Sequence, residues 1–267
     1  MSKAKTNTIS GSQLACLFVI TRLASGLLTT SVSIMQLLCE IAFSAGLSLL
    51  AFCLEKLGIK APFTVVSAVF FALAVWDCAT YIEFTKEVAH PEIPIVVIVL
   101  LLAVFSVYAG ALGLEATARF SVLALLLVSV CVLTALVTNI PAFRRDFFAY
   151  SEPERISLLS LLKCLDIPLL YTALSSRTNG KKGRALIIGN SVSYIVIIAV
   201  ILSCRAVLGK TAYDYSSPIF ALFQLAKAGL FTKLDILYIC TILILLFCDL
   251  SVSVSALKLL VNKEGKQ

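Results

Sequence analysis

Apolar residues run in stretches of about 20 along almost the whole of this chain, which is the length a helix needs to cross a bilayer. Hydropathy and breakers place these stretches at 13–30, 32–54, 62–85, 93–113, 118–140, 156–176, 184–208 and 234–260. A further stretch, 217–230 (SPIFALFQLAKAGL), is too short to span and is expected to lie at the interface or to re-enter. Composition agrees: 60% of residues are hydrophobic and 14% charged, and the mean hydropathy is +1.02. A soluble domain has about 45–50% apolar and about 25% charged residues. The composition excludes a soluble globular domain, and it excludes disorder, which requires low hydrophobicity. Eight helices use roughly 160 residues at that rate. Of 267 residues, that leaves connecting loops and one surface helix. The expected architecture is therefore an all-α polytopic membrane protein of about eight transmembrane helices, with residues 1–267 forming a single integral membrane domain.

The charge balance of +7 fits loops obeying the positive-inside rule, not a nucleic-acid partner. The bias is sharpest in RTNGKKGR (177–184), which carries four basic residues in one short loop. An even number of spans then puts both termini in the cytoplasm. Lys3 and Lys5 imitate the start of a signal peptide, but Arg22 splits the apolar run and no small-residue cleavage site follows. Nine cysteines contain no CxxC pair, and a single His, His90, falls in an expected outer loop with Glu87 and Glu92. No metal site, no cofactor and no nucleophile–base set for an enzyme is expected from this inventory.

Ionisable groups at membrane depth are costly and so mark candidate sites. Glu40 and Lys163 lie towards span ends, where snorkelling or pairing accounts for them. Arg22, Asp77 and Asp249 lie deeper and are expected to form an intramembrane charge network, with Asp166 at a comparable depth. The first span adds a run of small residues after Arg22 (LASGLLTTS, 23–31). Such a run either loosens the helix at Gly26 or lets a neighbouring helix pack closely. The sixth span contains CLDIPLLYTALSS (164–176), where Pro168 is expected to kink the helix beside Asp166. Two interrupted helices fit transporters whose site lies near the midplane between discontinuous helices.

TRLASGLLTTS (21–31), GALGLEATARF (110–120) and YSSPIFALFQLAKAGLFTKLDILYICTILILLF (215–247) together resemble the spore germination permeases. These are the GerAB-type B subunits of germinant receptors, within the amino acid–polyamine–organocation transporter superfamily. The resemblance implies a LeuT-like fold of two inverted five-helix repeats with helices 1 and 6 discontinuous. Residues 13–140 would form the first repeat. Residues 156–260 would form an incomplete second one, since the chain ends at VNKEGKQ before the last two helices of the family. It implies a nutrient-binding role, an amino acid being the expected ligand, in the spore inner membrane alongside A and C subunits. By position, Ala24, Ser25, Gly26 and Leu27 would form the first-helix ligand segment, and Asp166, Leu170 and Tyr171 the sixth-helix part. A secondary amino-acid transporter coupled to H⁺ or Na⁺, and a degenerate structural subunit, are the alternatives.

Overall fold

In lipid every backbone N–H and C=O must be satisfied within the protein, and a helix does this locally. The computed structural model describes residues 8–28, 32–58, 63–86, 94–149, 157–226 and 234–264, and almost all of them are helical. The helices are α1 (Gly11–Leu27), α2 (Ile34–Lys56), α3 (Phe63–Phe84), α4 (Ile95–Leu112), α5 (Leu114–Asn139), α6 (Leu158–Lys163), α7 (Asp166–Leu174), α8 (Lys182–Leu208), α9 (Pro218–Leu225) and α10 (Asp235–Glu264). A two-residue parallel pairing joins β1 (Ile9–Ser10) to β2 (Thr178–Asn179), fastening the start of α1 to the segment after α7. The expectations for Pro62, the His90 loop and the tail of the 217–230 stretch lie outside the described residues.

Four helical stretches are long and apolar enough to cross a membrane: Ile34–Lys56, Leu114–Ala142, Lys182–Tyr213 and Asp235–Lys258. Gly11–Leu27 and Val96–Leu112 are apolar but shorter. The outer faces of α4 and α5 present Val96, Leu123 and Leu126 at about two-thirds exposure. Contiguous apolar surface of this kind is an aggregation hazard in water and is ordinary in lipid.

The interior is organised around α1 and α10. Ser10 caps α1 and forms a reciprocal pair with Gln13, so two end groups of the helix are satisfied at once. From Leu17 to Leu27 every residue of α1 is buried, Arg22 included. It packs against α8, α5 and α10. On α10, Tyr238 is fully buried, with the rings of Phe84, Phe220 and Phe223 at 5.5, 5.6 and 5.3 Å. Its hydroxyl donates to the Leu27 carbonyl at 2.7 Å and so satisfies one of the orphan carbonyls that end α1. The short α9 is buried from Pro218 to Phe223.

Two expectations about breaks need revision. Helix α1 does not unwind in the middle at Ser25–Gly26; it continues to Leu27, and the Leu28 N–H bonds back to the Gly26 carbonyl. Gly26 instead lets α8 approach, since a Cβ there would lie 2.5 Å from Ile197 Cδ1. The sixth span is broken, but at Cys164–Leu165, between α6 and α7, ahead of Pro168. Pro168 stands in the first turn of α7, where its missing N–H is least needed.

The same close approach recurs at Gly189 on α8, where a Cβ would lie 2.6 Å from Phe18 Cβ and 3.1 Å from the Ala15 carbonyl. Gly46 on α2 has open space around it. Gly189→Ala is therefore expected to destabilise the protein by about 1–3 kcal/mol through overpacking. Gly46→Ala should be neutral or stabilising by up to about 1 kcal/mol through helix propensity. Thermal melts of the two variants in one detergent compare them directly.

Candidate functional site

Helix α1 ends where α2 begins, and the two ends carry opposite partial charge. The last carbonyls of α1 lack intrahelical donors, the Leu27 carbonyl being taken by Tyr238, and the first N–H groups of α2 lack intrahelical acceptors. Ser33 caps α2, its hydroxyl accepting from the Gln36 N–H at 3.2 Å. Between these ends lies a cavity of about 190 Å³. Arg22, Ser25 and Gly26 line it from α1, and Ser33, Gln36 and Glu40 from α2. Trp76 and Thr80 close it on the α3 side, Ser157, Ser160 and Lys163 on the α6 side, and Ile197 and Ile201 on the α8 side.

The deepest cation of this cavity is Arg22, whose side chain is 2% exposed. One terminal nitrogen (Nη2) donates to Glu40 Oε2 at 2.8 Å and to Cys164 Sγ at 3.4 Å. The other reaches Ser25 Oγ at 3.4 Å, and the guanidinium lies 5.0 Å from the Tyr194 ring centre. A guanidinium cannot shed its charge, so burial here depends on these partners. A second ion pair joins Lys163 Nζ to Asp77 Oδ1 at 2.7 Å. Asp166 lies beside Ser25 and within electrostatic reach of Arg22, Asp77 and Asp249. Asp166 Oδ2 and Asp249 Oδ1 are buried and find no hydrogen-bond partner among the described residues. Thr21, on α1, is next to Asp249.

Asp77 and Asp166 are within electrostatic reach of Arg22, and Asp249 is within reach of Asp166 and Asp77, so charged groups of α1, α3, α7 and α10 lie near one another. The ligand-segment residues divide. Ser25 and Gly26 line the cavity, whereas Ala24 and Leu27 are buried in helix packing. Leu170 and Tyr171 also pack away from it, in the apolar cluster that contains Phe18, and the Tyr171 hydroxyl donates to Glu55. Glu40 and Lys163, read as span-end charges, prove to be the counter-ion of Arg22 and a wall of the cavity. Gln36, Ser33 and Ser157 did not stand out in the sequence. For Ser33 and Gln36 the one available signal is the spacing Ser33, Gln36, Glu40, which puts three polar groups on one face at the start of an otherwise apolar helix; Ser157 has none.

Among the described residues no group of three His, Cys, Asp or Glu side chains is placed to hold a metal ion. The arrangement offers recognition by charge and hydrogen bonds: a guanidinium, an ammonium, a carboxylate, an amide and several hydroxyls. No protein-family model matches this chain, and no curated protein sequence matches it.

Removing one partner of a buried ion pair leaves an uncompensated charge. Lys163→Met is expected to cost about 3–5 kcal/mol, because Asp77 is then stranded. Adding Asp77→Leu to that variant should recover most of the loss. A double-mutant cycle on thermal melts measures the coupling, and additive losses would argue against the pair.

Proposed function

We propose that this chain is a multi-pass receptor subunit that binds a small zwitterionic nutrient, an amino acid first of all, in the cavity between α1 and α2. The observation that carries the reading is a cavity inside an apolar bundle lined by Arg22, Ser25, Gln36, Glu40 and Lys163, beside the C-terminal end of α1 and the N-terminal end of α2. An α-carboxylate would face Arg22 and the N–H end of α2. An α-ammonium would face the carbonyl end of α1, with Asp166 behind it beside Ser25. This assignment reverses the roles expected for α1: because the helix stays wound to Leu27, it presents carbonyl groups, and α2 supplies the N–H groups. Drug-sized ligands fill sites of about 300–1,000 Å³, so a cavity of about 190 Å³ suits a molecule of amino-acid size.

The resemblance to germination permeases supports the physiological part of the proposal. The chain would act as a B-type subunit in the spore inner membrane, with both termini cytoplasmic and with A- and C-type subunits as partners. A truncated two-repeat architecture with about eight spans belongs to the same proposal. Occupancy would shift the α1–α7 region between two states, to the extent that the ligand binds one of them better. A second reading, secondary transport, is favoured by one specific observation. Asp166 and Asp249 each keep an unsatisfied carboxylate oxygen in the bundle interior, as a coupling ion would require.

The test is a thermal-shift panel of the twenty amino acids on the purified protein, followed by flux measurements in proteoliposomes. At a concentration of about 100 Kd a specific ligand stabilises by about 2.7 kcal/mol. At least one amino acid is expected to raise the melting temperature. Gln36→Ala and Asp166→Ala should lose that response while still inserting into the membrane. A panel without any response, in the wild type and in Glu40→Gln alike, would overturn the assignment of the cavity. Binding without concentrative uptake supports the receptor, and concentrative uptake supports the transporter.

A further inference from the structure

The cavity already contains a carboxylate. Glu40 reaches across from α2 and takes the position on Arg22 that an incoming carboxylate would need. The two side chains are held very differently. Arg22 is 2% exposed and is fixed by Ser25, Cys164 and the face of Tyr194. The Glu40 carboxylate has 12% exposure, faces the cavity, and is bound by Arg22 and by the Gln36 amide at 2.9 Å. Its backbone is clamped, since the Glu40 carbonyl accepts from the Tyr194 hydroxyl at 3.1 Å and from the Cys164 thiol at 3.6 Å. Moving the carboxylate away therefore needs only a rotation about side-chain bonds and leaves α2 in place. The other ion pair differs in this respect: Lys163 lines the cavity but its partner Asp77 does not, so the Asp77 carboxylate has no cavity space to swing into.

The geometry points to Glu40 as a built-in competitor for the anion position on Arg22, displaced when a carboxylate-bearing solute binds. The proposal rests on the reading of the cavity as an amino-acid site and names the regulation of that site. Arg22 has a donor to spare for the exchange, because its Nε is buried and has no hydrogen-bond partner among the described residues. Exchange of one carboxylate for another keeps the buried guanidinium neutralised throughout, so the charge is never stranded. A neutral solute gains no such replacement and leaves Glu40 where it is. The device therefore makes the release of Glu40 specific to occupants that bear a carboxylate.

Displacement also has a route out of the cavity. Gln36 holds Glu40 with its amide nitrogen and accepts the Ser157 N–H with its amide oxygen at 2.7 Å. Ser157 immediately precedes α6, the first half of the broken helix. Release of Glu40 removes the acceptor that orients the Gln36 amide, and with it the support of the α6 start. Occupancy at Arg22 is thereby read at α6 through one side chain.

The test compares amino acids with the corresponding amino-acid amides, which lack the carboxylate charge, in thermal-shift and calorimetric titrations on the full chain in detergent. If Glu40 occupies Arg22 about nine-tenths of the time, it weakens carboxylate binding about tenfold. Glu40→Gln keeps a hydrogen-bond acceptor beside Arg22 and removes the competing charge. It should tighten binding of the responsive amino acid about tenfold and leave its amide unchanged. Glu40→Asp keeps the charge but shortens the reach, and should move the acid-to-amide ratio in the same direction by a smaller factor. This second variant stands in where Glu40→Gln fails to fold. In hydrogen exchange, residues 157–165 should lose protection when the amino acid is added to the wild type. Equal changes for acid and amide, or no change for either, overturn the displacement while leaving the amino-acid site intact. Absence of any amino-acid response in the wild type and in both variants overturns the site and the displacement together. Response in a Glu40 variant alone supports both.

Discussion

A guanidinium buried in the middle of an apolar bundle is the constraint on which the rest of this structure depends. Arg22 sits on the helix that the other elements surround, so its neutralisation fixes what may stand next to α1. Glu40 sets the place of α2, Tyr194 that of α8, and Cys164 that of the break between α6 and α7. Apolar packing alone would let these helices slide and rotate with little penalty in lipid, where side chains gain nothing by leaving the solvent. Charge in a low dielectric is far less forgiving of a shift of a few tenths of an ångström. The ion pair thus supplies specificity to a bundle whose stability comes from close contact elsewhere.

That close contact is supplied by small residues. Gly26 and Gly189 allow α1 and α8 to approach until a methyl group would collide with Ile197 or Phe18. Between α4 and α5, Gly113 adopts φ of 101°, a conformation that side chains disfavour, and so joins two helices through a single residue. Glycine in this chain is used for approach and for turning. Even the glycine nearest the cavity is one of the packing kind.

This explains which parts of the molecule were legible in the sequence. Helix positions were readable because long apolar runs favour helices: the expected stretches fall on α1 to α5, α6 with α7, α8 and α10, and four of the helical stretches are long and apolar enough to cross a membrane. The break in the sixth span was readable from Pro168, but its position was not, because proline is tolerated in a first turn and the chain opened two residues before Asp166. Gly26 could not be read alone. A glycine that loosens a helix and a glycine that admits a neighbour look identical until Ile197 is placed opposite it. The cavity walls were unreadable for the same reason, since Gln36 and Ser157 meet across more than a hundred residues of chain. That Arg22 and Asp77 would need polar partners was legible because charge at membrane depth has few alternatives to finding other polar groups; which partners, Glu40 and Lys163, was not.

The same electrostatic logic makes the cavity a place where two arrangements can coexist. A cation fixed by three neighbours and a carboxylate free to rotate form an asymmetric pair, in which only one member can yield. An apolar cavity of equal size would bind by shape alone and would transmit nothing on filling. Here an occupant bearing a carboxylate must break a hydrogen-bonded chain that runs from Arg22 through Glu40 and Gln36 to Ser157, so recognition and the disturbance of α6 are one event.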